Sequence, residues 1–229
     1  MLIIFDLDDT LVDTSGCITP IKLEDALHKM VAAGFQVPHF LDALEQLKRI
    51  DAAAGSAREA IAEFLEIHDG VLKYYDIAIK EVYETFFSDL PIFTFDGVIE
   101  TLKTLSEWHY LAVVTAGFFD YQQWKLKKTG IDSSIFSKIV VCESGDKKIH
   151  YKKIVEELNF LPKDVIVCGD RVDKDLTPAK DLGFRTIRMK KGRGRKSFKF
   201  SRDVDYTINE FYEILEVVAS ASLMNSTPS

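Results

Sequence analysis

The sequence predicts an α/β protein in which a doubly wound parallel sheet carries an inserted all-helical domain. Three observations predict this fold. The chain opens on Ile3-Ile4-Phe5, a short apolar run typical of a central strand in a parallel sheet. From about residue 97, apolar runs alternate with segments of helical period, and such alternation indicates right-handed crossovers on a parallel sheet. Residues 15–91, which separate these two parts, show helical period alone.

The insert, residues 15–91, is predicted to hold about four helices. Its apolar residues recur at helical spacing, as at Ala57, Ala60, Ile61 and Phe64. Glycine and proline separate the helical segments. The predicted helices span residues 21–33, 38–53, 56–67 and 71–87. Because the first strand precedes these helices, they interrupt the α/β domain and do not form a separate N-terminal domain.

Residues 1–14 and 92–218 are predicted to form the α/β domain around the insert. After the first strand, the predicted strands span residues 111–115, 139–142, 165–168, 184–189 and 206–208. The predicted helices span residues 98–106, 118–128, 149–158, 177–182 and 209–219. Residues 219–229 are mostly small and polar, so we expect this tail to be disordered.

Composition narrows the class of protein. A length of 229 residues with 47% hydrophobic residues allows one large domain, or a domain with an insert, around a full core. The net charge of −7 argues against a dedicated nucleic-acid binder. Basic residues are absent from the first five positions, and no apolar run reaches roughly 18 residues, so we expect neither a signal peptide nor contact with a membrane. The three cysteines lack metal-ligand spacing and indicate free thiols, which favours the cytoplasm.

Side chains with chemical capacity follow four of the predicted strands. Because the carboxyl ends of parallel strands meet at one edge of a sheet, we expect these side chains to lie close together. The four groups are Asp6 with Asp8, Thr115, Asp146-Lys147-Lys148, and Asp170 with Asp173 and Asp175. Asp6 and Asp8 alternate with Leu7, so an extended backbone points both carboxylates to one side. Two acids on one side favour a bound cation or a shared proton.

Each of these signals alone is common in proteins, but their order and spacing together resemble the haloacid dehalogenase-like (HAD) hydrolase superfamily. Asp6-Leu7-Asp8-Asp9-Thr10 is similar to the first motif of that family, DxDxT, and residues 169–175 are similar to the fourth, GDxxxxD. Thr115 and Lys147 occupy the places of the second and third motifs. The helical insert is similar to the C1 cap of the family, and the whole pattern to a C1-capped, phosphatase-type member.

The resemblance implies a role for each acidic residue. Asp6 would be the nucleophile that attacks phosphorus, and Asp8 the general acid and then the general base. One Mg²⁺ would be held by Asp6, the backbone carbonyl of Asp8 and Asp170. Asp175 would orient the waters of that ion, and Asp173 is the competing residue for this role.

The resemblance also implies a phosphate-binding set. Thr115 and the backbone amide of Ala116 would bind the oxygens of the transferring phosphoryl group at a helix N-terminus. Lys147 would neutralise the phosphate and hold Asp6. Lys148 is the alternative, because the family often shows a proline after this lysine and the sequence has none there. Lys147 is preferred, since Tyr151 lies four residues after it.

The function implied is a Mg²⁺-dependent phosphomonoester hydrolase that acts on a small phosphorylated metabolite. An acid at Asp8 favours phosphate esters over the carbon–halogen and carbon–phosphorus bonds that other members of the family cleave. A phosphosugar mutase and a non-catalytic phosphate- and Mg²⁺-binding protein remain as alternatives. A receiver-type phospho-acceptor domain fits less well, because its acceptor Asp follows a later strand and its first strand is not followed by a helical insert.

Substrate choice is expected to depend on the insert, for which the candidate contacts are Arg49, Arg58, His68, Tyr74 and Tyr75. Each of these residues also has a plain structural explanation on a solvated or core-facing helix position. The insert is also compatible with a homodimer. The basic run of residues 190–199 is interpreted as a solvated loop, with a phosphate contact as the alternative.

Overall fold

The computed structural model describes residues 1–85, 89–143, 145–192, 195 and 201–226, with side chains described as far as residue 222. The chain divides into two compact units. The α/β unit comprises Met1–Asp13 and Ile92–Ser229, and the helical unit comprises Thr14–Pro91. Across the described residues, no helix combines the length and apolar character needed to cross a bilayer.

The helical unit has four α-helices among its described residues. They are α1 (Thr19–Ala32), α2 (Phe40–Ala53), α3 (Ala57–Ile67) and α4 (Leu72–Tyr83). The last predicted helix ran to residue 87, and residues 86–88 lie outside the described part. The apolar stripes predicted from the sequence meet in one core, in which Leu27, Leu47, Ile61 and Phe64 are almost fully buried.

An ion pair is buried inside the helical unit. Nζ of Lys22 on α1 is 3.3 Å from Oε1 of Glu81 on α4, and both side chains are buried. A buried ion pair of this kind satisfies two groups that would otherwise be costly to remove from water.

The candidate contact residues of the insert have partners within the helical unit or lie on its surface. The guanidinium of Arg58 lies over the ring of Tyr83, 4.4 Å from its centre. Nε2 of His68 is 2.9 Å from Oε1 of Gln46. Tyr74 and Tyr75 pack against the core, and Arg49 is exposed. These positions agree with the structural explanations given above.

The α/β unit is built on a parallel sheet of six strands among the described residues. They are β1 (Leu2–Phe5), β2 (Tyr110–Ala116), β3 (Phe136–Cys142), β4 (Val165–Gly169), β5 (Arg185–Met189) and β6 (Tyr206–Ile208). The order across the sheet is β3-β2-β1-β4-β5-β6, and all neighbouring pairs are parallel. The predicted doubly wound parallel sheet is therefore confirmed.

The central position of β1 explains its sequence. Ile4 pairs with Ala112 on β2 and with Val167 on β4, and all three are fully buried. A strand covered on both faces needs apolar residues at every position, so Leu2–Phe5 shows a continuous apolar run and no alternation. The order of strands also places the ends of β1, β2 and β4 side by side, with β3 next to β2.

Four helices of the α/β unit lie between its strands in sequence, and a fifth follows the last strand. They are α5 (Val98–Ser106), α6 (Phe119–Lys128), α7 (Lys147–Glu157), α8 (Thr177–Lys180) and α9 (Ile214–Ser226). The prediction of disorder from residue 219 is wrong as far as residue 226, because α9 continues through it. Ala221 of this segment is buried, as is Val218 just before it, so this part of the helix packs against the unit. Residues 227–229 lie outside the described part.

The basic run of residues 190–199 lies mostly outside the described residues. At its start, the backbone of Lys190 donates to the carbonyl of Ile208, and Nζ of Lys191 is 2.6 Å from Oε1 of Glu210. Gly192 follows with a positive φ of 46°.

Candidate active site

Asp6 is the first residue after β1, so it lies at the carboxyl end of a central strand of the sheet. Its backbone amide donates to the carbonyl of Cys168 at the end of β4, at 2.9 Å. The Asp6 residue is only 6% exposed. The strand thus delivers a carboxylate into a nearly water-free position, which is an expensive place for a charge without partners.

A tight turn after β4 brings two more carboxylates to the same place. Asp170 follows β4 directly, and a five-residue π-helical turn over Val172–Leu176 carries Asp175. The backbone amide of Arg171 donates to Oδ2 of Asp175 at 2.9 Å. Both carboxylates are buried.

Gly169 allows the close packing of this turn. A Cβ added at Gly169 would lie 2.5 Å from Cβ of Asp175 and 2.5 Å from its Oδ2, which is closer than real side chains come. The glycine of the fourth motif is therefore required by contact with Asp175.

The two candidates for the outer position at the metal site lie in different environments. Asp173 is exposed and pairs with Arg171 and Lys174 on the surface. Asp175 instead lies with Asp6 and Asp170, and ligand oxygens of these three residues are all within 4.8 Å of one another. Three buried carboxylates with convergent oxygens form the hard donor set that suits Mg²⁺.

Lys147, at the start of α7, contacts two of these carboxylates. Its Nζ lies 2.5 Å from Oδ1 of Asp6 and 2.7 Å from Oδ1 of Asp175, and the side chain is buried. Lys148 points elsewhere, because its Nζ pairs with Asp181 at the surface, at 2.7 Å. Of the two lysines considered from the sequence, the structure places Lys147 at the carboxylates.

The cluster carries more negative charge than its lysine neutralises. Burial raises the pKa of Asp6 to about 7, Asp175 and Asp8 raise it too, and Lys147 opposes the shift. Burial also raises the pKa of Asp170 well above its usual range, with Asp175, Asp9 and Asp6 adding to the effect. A divalent cation would relieve this repulsion, so the donor set and its electrostatics both fit Mg²⁺.

Lys147 keeps its proton in this site. Burial by itself lowers the pKa of Lys147, but the negative charges of Asp175 and Asp6 raise it well above its usual range. The ammonium group is therefore a fixed positive charge beside Asp6.

The end of β2 offers groups suited to an anion. Thr115 is buried, and among the described residues its hydroxyl has no hydrogen-bond partner. A buried hydroxyl without a partner is costly, and a bound oxyanion would satisfy it. Ala116 follows as the last residue of the strand and is exposed, ahead of the first turn of α6.

Asp8 lies next to this end of β2 and has two donors that the sequence analysis did not single out. Nζ of Lys125 is 2.6 Å from its Oδ1, and Nε2 of Gln122 is 2.9 Å from its Oδ2. Both residues are on α6, within a run that also contains exposed Lys127 and Lys128. No signal in the sequence separates Lys125 from these solvated lysines, except its three-residue spacing from Gln122, which places both on one helix face.

Comparison with known proteins gives the family. Residues 1–183 match the model of the haloacid dehalogenase-like hydrolase family. Among curated proteins, the chain is 31% identical over 223 residues to the glyceraldehyde 3-phosphate phosphatase of Methanocaldococcus jannaschii, covering 94% of this chain and 96% of the relative. It is 26% identical to the protein of the same name from Pyrococcus furiosus, covering 95% and 92%.

Solved structures agree on the fold. The chain superposes with a TM-score of 0.73 on a predicted phosphoglycolate phosphatase from Haemophilus somnus, which is 19% identical, covering 94% of this chain and 96% of that one. A HAD phosphatase from Thermococcus onnurineus gives a TM-score of 0.64 at 22% identity, covering 95% and 97%. On the match to the family model and the 31% identity with a phosphatase over nearly the whole chain, this protein belongs to the haloacid dehalogenase-like hydrolase family, and it is a hydrolase whose curated relatives are phosphatases.

Proposed function

We propose that this protein is a Mg²⁺-dependent phosphomonoester hydrolase that works through an aspartyl-phosphate on Asp6. The observation that carries the proposal is the buried set at the sheet edge, where Asp6 contacts Lys147 and lies within 4.8 Å of ligand oxygens of Asp170 and Asp175. A carboxylate held beside a fixed cation and a metal-type donor set is placed as a nucleophile for an anionic substrate.

Asp6, Asp170 and the backbone carbonyl of Asp8 are the proposed ligands of Mg²⁺. Asp175 would orient the waters of the ion, since its oxygens are already fixed by Lys147 and by the amide of Arg171. When bound, Mg²⁺ supplies positive charge that would balance the three carboxylates and stabilise the negative charge on the phosphoryl oxygens.

In the first step, a carboxylate oxygen of Asp6 forms a bond to phosphorus while the bond from phosphorus to the leaving-group oxygen breaks. Asp8 gives its proton to that oxygen, so the product leaves as an alcohol. Lys147, the Thr115 hydroxyl and the amide of Ala116 would stabilise the charge on the phosphoryl oxygens. Their support is the buried cation beside Asp6 and the unpartnered hydroxyl at the end of β2.

In the second step, water attacks the phosphorus of the aspartyl-phosphate. Asp8, now ionised, takes the proton of that water, and the bond between phosphorus and Asp6 breaks to release phosphate. Both carboxylates return to their starting states, so one water is consumed for each ester cleaved.

The proposed substrate is a small phosphorylated metabolite, and a triose phosphate is the first candidate. The support is the name glyceraldehyde 3-phosphate phosphatase carried by the two archaeal relatives, which align over nearly their whole length. Action in the cytoplasm also belongs to the proposal, because the described cysteines are free thiols. A homodimer stays a prediction.

The test is phosphate release by the full chain with and without Mg²⁺. Substrates are 4-nitrophenyl phosphate, glyceraldehyde 3-phosphate, hexose phosphates, nucleotides and small phospho-acids, and Asp6→Asn is the control. We expect Mg²⁺-dependent release that Asp6→Asn abolishes. Turnover that persists in chelator would overturn the metal assignment. Interconversion of sugar phosphate isomers without phosphate release would identify a mutase, and a folded protein that acts on none of these would identify a binding protein.

A further inference from the structure

Two residues on one face of α6 donate hydrogen bonds to the carboxylate of Asp8. Lys125 donates to Oδ1 at 2.6 Å and Gln122 donates to Oδ2 at 2.9 Å, so each oxygen has its own donor. Lys125 and Gln122 are both almost fully buried, whereas the Asp8 side chain is 31% exposed. The donors are thus fixed from the protein side, and part of the carboxylate remains accessible.

Further contacts hold the two donors themselves. Nε2 of Gln122 also donates to the carbonyl of Ala116 at 2.6 Å, which ties Asp8 to the end of β2 where the phosphate is proposed to bind. The Lys125 ammonium lies 4.5 Å from the centre of the Tyr121 ring, within cation–π range. Both donors therefore have fixed positions of their own.

Gly117 makes room for this arrangement. Its φ is 142°, and a Cβ added there would lie 2.9 Å from Nε2 of Gln122. The glycine after the second motif thus allows the amide of Gln122 to reach both Asp8 and the carbonyl of Ala116.

We propose that Lys125 and Gln122 are positioning residues that hold Asp8 in the orientation needed to give a proton to the leaving group and to take one from water. This inference rests on the phosphatase function proposed above. Hydrogen bonds to both oxygens prevent rotation of the carboxylate, and fixed orientation is a large part of the effectiveness of a proton-transfer group. Neither residue touches the substrate in this role.

The leaving group separates positioning of Asp8 from a general structural effect. An alkyl phosphate such as glyceraldehyde 3-phosphate must receive a proton as its alcohol leaves, whereas 4-nitrophenolate leaves as a stable anion. Because kcat/KM reports the steps up to phosphoryl transfer to Asp6, misplacement of Asp8 lowers kcat/KM for the alkyl ester and leaves that for the aryl ester nearly unchanged. Hydrolysis of the aspartyl-phosphate still needs Asp8 as a base, so the aryl ester then gives a burst.

The test compares Lys125→Met with Lys128→Met in the full chain with Mg²⁺. Lys125→Met keeps the aliphatic stem and removes the donor, and Lys128 is an exposed lysine on the same helix. For Lys125→Met we expect kcat/KM for glyceraldehyde 3-phosphate to fall about 10- to 100-fold, with KM little changed. With 4-nitrophenyl phosphate we expect a burst close to one equivalent of 4-nitrophenolate, followed by slow turnover. Lys128→Met should behave as wild type on both substrates.

Gln122→Met is the second variant and should show the same split between substrates. If the wild type is active, two results would overturn the inference and leave the proposed function standing. One is an equal loss of kcat/KM on both esters, and the other is no loss of kcat/KM on either ester with either variant. Failure of both variants to fold beside a folded Lys128→Met would assign the pair to folding and also overturn it. Wild-type inactivity on both esters would instead defeat the proposed function, and the inference with it.

Discussion

Lys147 and Asp6 are 141 positions apart in the sequence, yet Nζ of Lys147 lies 2.5 Å from Oδ1 of Asp6. The contact exists because Asp6 follows the central strand β1 and Lys147 follows the outer strand β3. The carboxyl ends of these parallel strands lie on the same side of the sheet. Asp175 accepts a second bond from the same ammonium, at 2.7 Å. One buried cation thus links the first, third and fourth motifs.

Lys147→Met is expected to lower kcat by at least about 100-fold, because it removes a charge that stabilises the phosphoryl oxygens and leaves Asp6 without its cation. The measurement is steady-state phosphate release with Mg²⁺. Lys148→Met is the matched control and should retain wild-type kcat, since Lys148 pairs with Asp181 at the surface. A large loss in Lys148→Met with normal activity in Lys147→Met would reverse the assignment.

Gly169→Ala is expected to weaken Mg²⁺ binding about 10- to 100-fold, because the new methyl would displace Asp175. Isothermal titration calorimetry with Mg²⁺ measures this affinity directly. Gly130→Ala is the control: Gly130 has a positive φ of 74°, which strains an alanine, but nothing lies within 4 Å of an added Cβ. It should cost stability without changing Mg²⁺ affinity. Wild-type affinity in Gly169→Ala would remove the steric argument.

Removal of metal is expected to make stability fall as pH rises. A carboxyl whose pKa is raised in the folded state stabilises that state while it is protonated. This contribution is complete below the ordinary pKa near 4 and is lost as pH rises through the folded value, about 7 for Asp6. In chelator, the free energy of unfolding of the wild type should therefore drop between about pH 4 and pH 7.

Asp170→Asn tests this explanation, because it removes one raised carboxyl from the cluster. In chelator its stability should fall less steeply with pH than that of the wild type, and Mg²⁺ should stabilise it less. Asp173→Asn, at an exposed position, should follow the wild type in both respects. Parallel pH curves for wild type and Asp170→Asn, measured by urea denaturation, would contradict the prediction.

The buried pair of Lys22 and Glu81 predicts a stability effect within the helical unit. Lys22→Met leaves the Glu81 carboxylate buried without its cation, so we expect a loss of about 3–5 kcal/mol in the free energy of unfolding. The double variant Lys22→Met with Glu81→Leu should recover most of this loss, because no buried charge remains. Equal destabilisation by the single and double variants in chemical denaturation would show that the ion pair is not the cause.

The fold could be predicted from the sequence because its signals are local. The continuous apolar run of β1 and the helical period of residues 15–91 each reflect which faces are buried, and burial sets the pattern directly. The disorder predicted from residue 219 is wrong because α9 continues to residue 226 and Ala221 within it is buried. Small side chains serve a packed helix as readily as a frayed tail, so composition did not distinguish the two.

Residues of the site could be predicted from the sequence only where a polar or charged residue follows a predicted strand. Asp6, Asp170 and Lys147 follow strands, and parallel topology brings such positions together. Gln122 and Lys125 lie within a helix, where their burial depends on a contact with Asp8 more than a hundred positions away. No local pattern encodes such a contact.

Detection of the phosphorylated enzyme tests the central claim most directly. Full-length protein is mixed with Mg²⁺ and 4-nitrophenyl phosphate, quenched in acid within the first turnover and digested for mass spectrometry. The account predicts one phosphoryl group on Asp6 in the wild type and none in Asp6→Asn, which should also release no phosphate. A phosphoryl group on another residue, or undiminished turnover in Asp6→Asn, would contradict it.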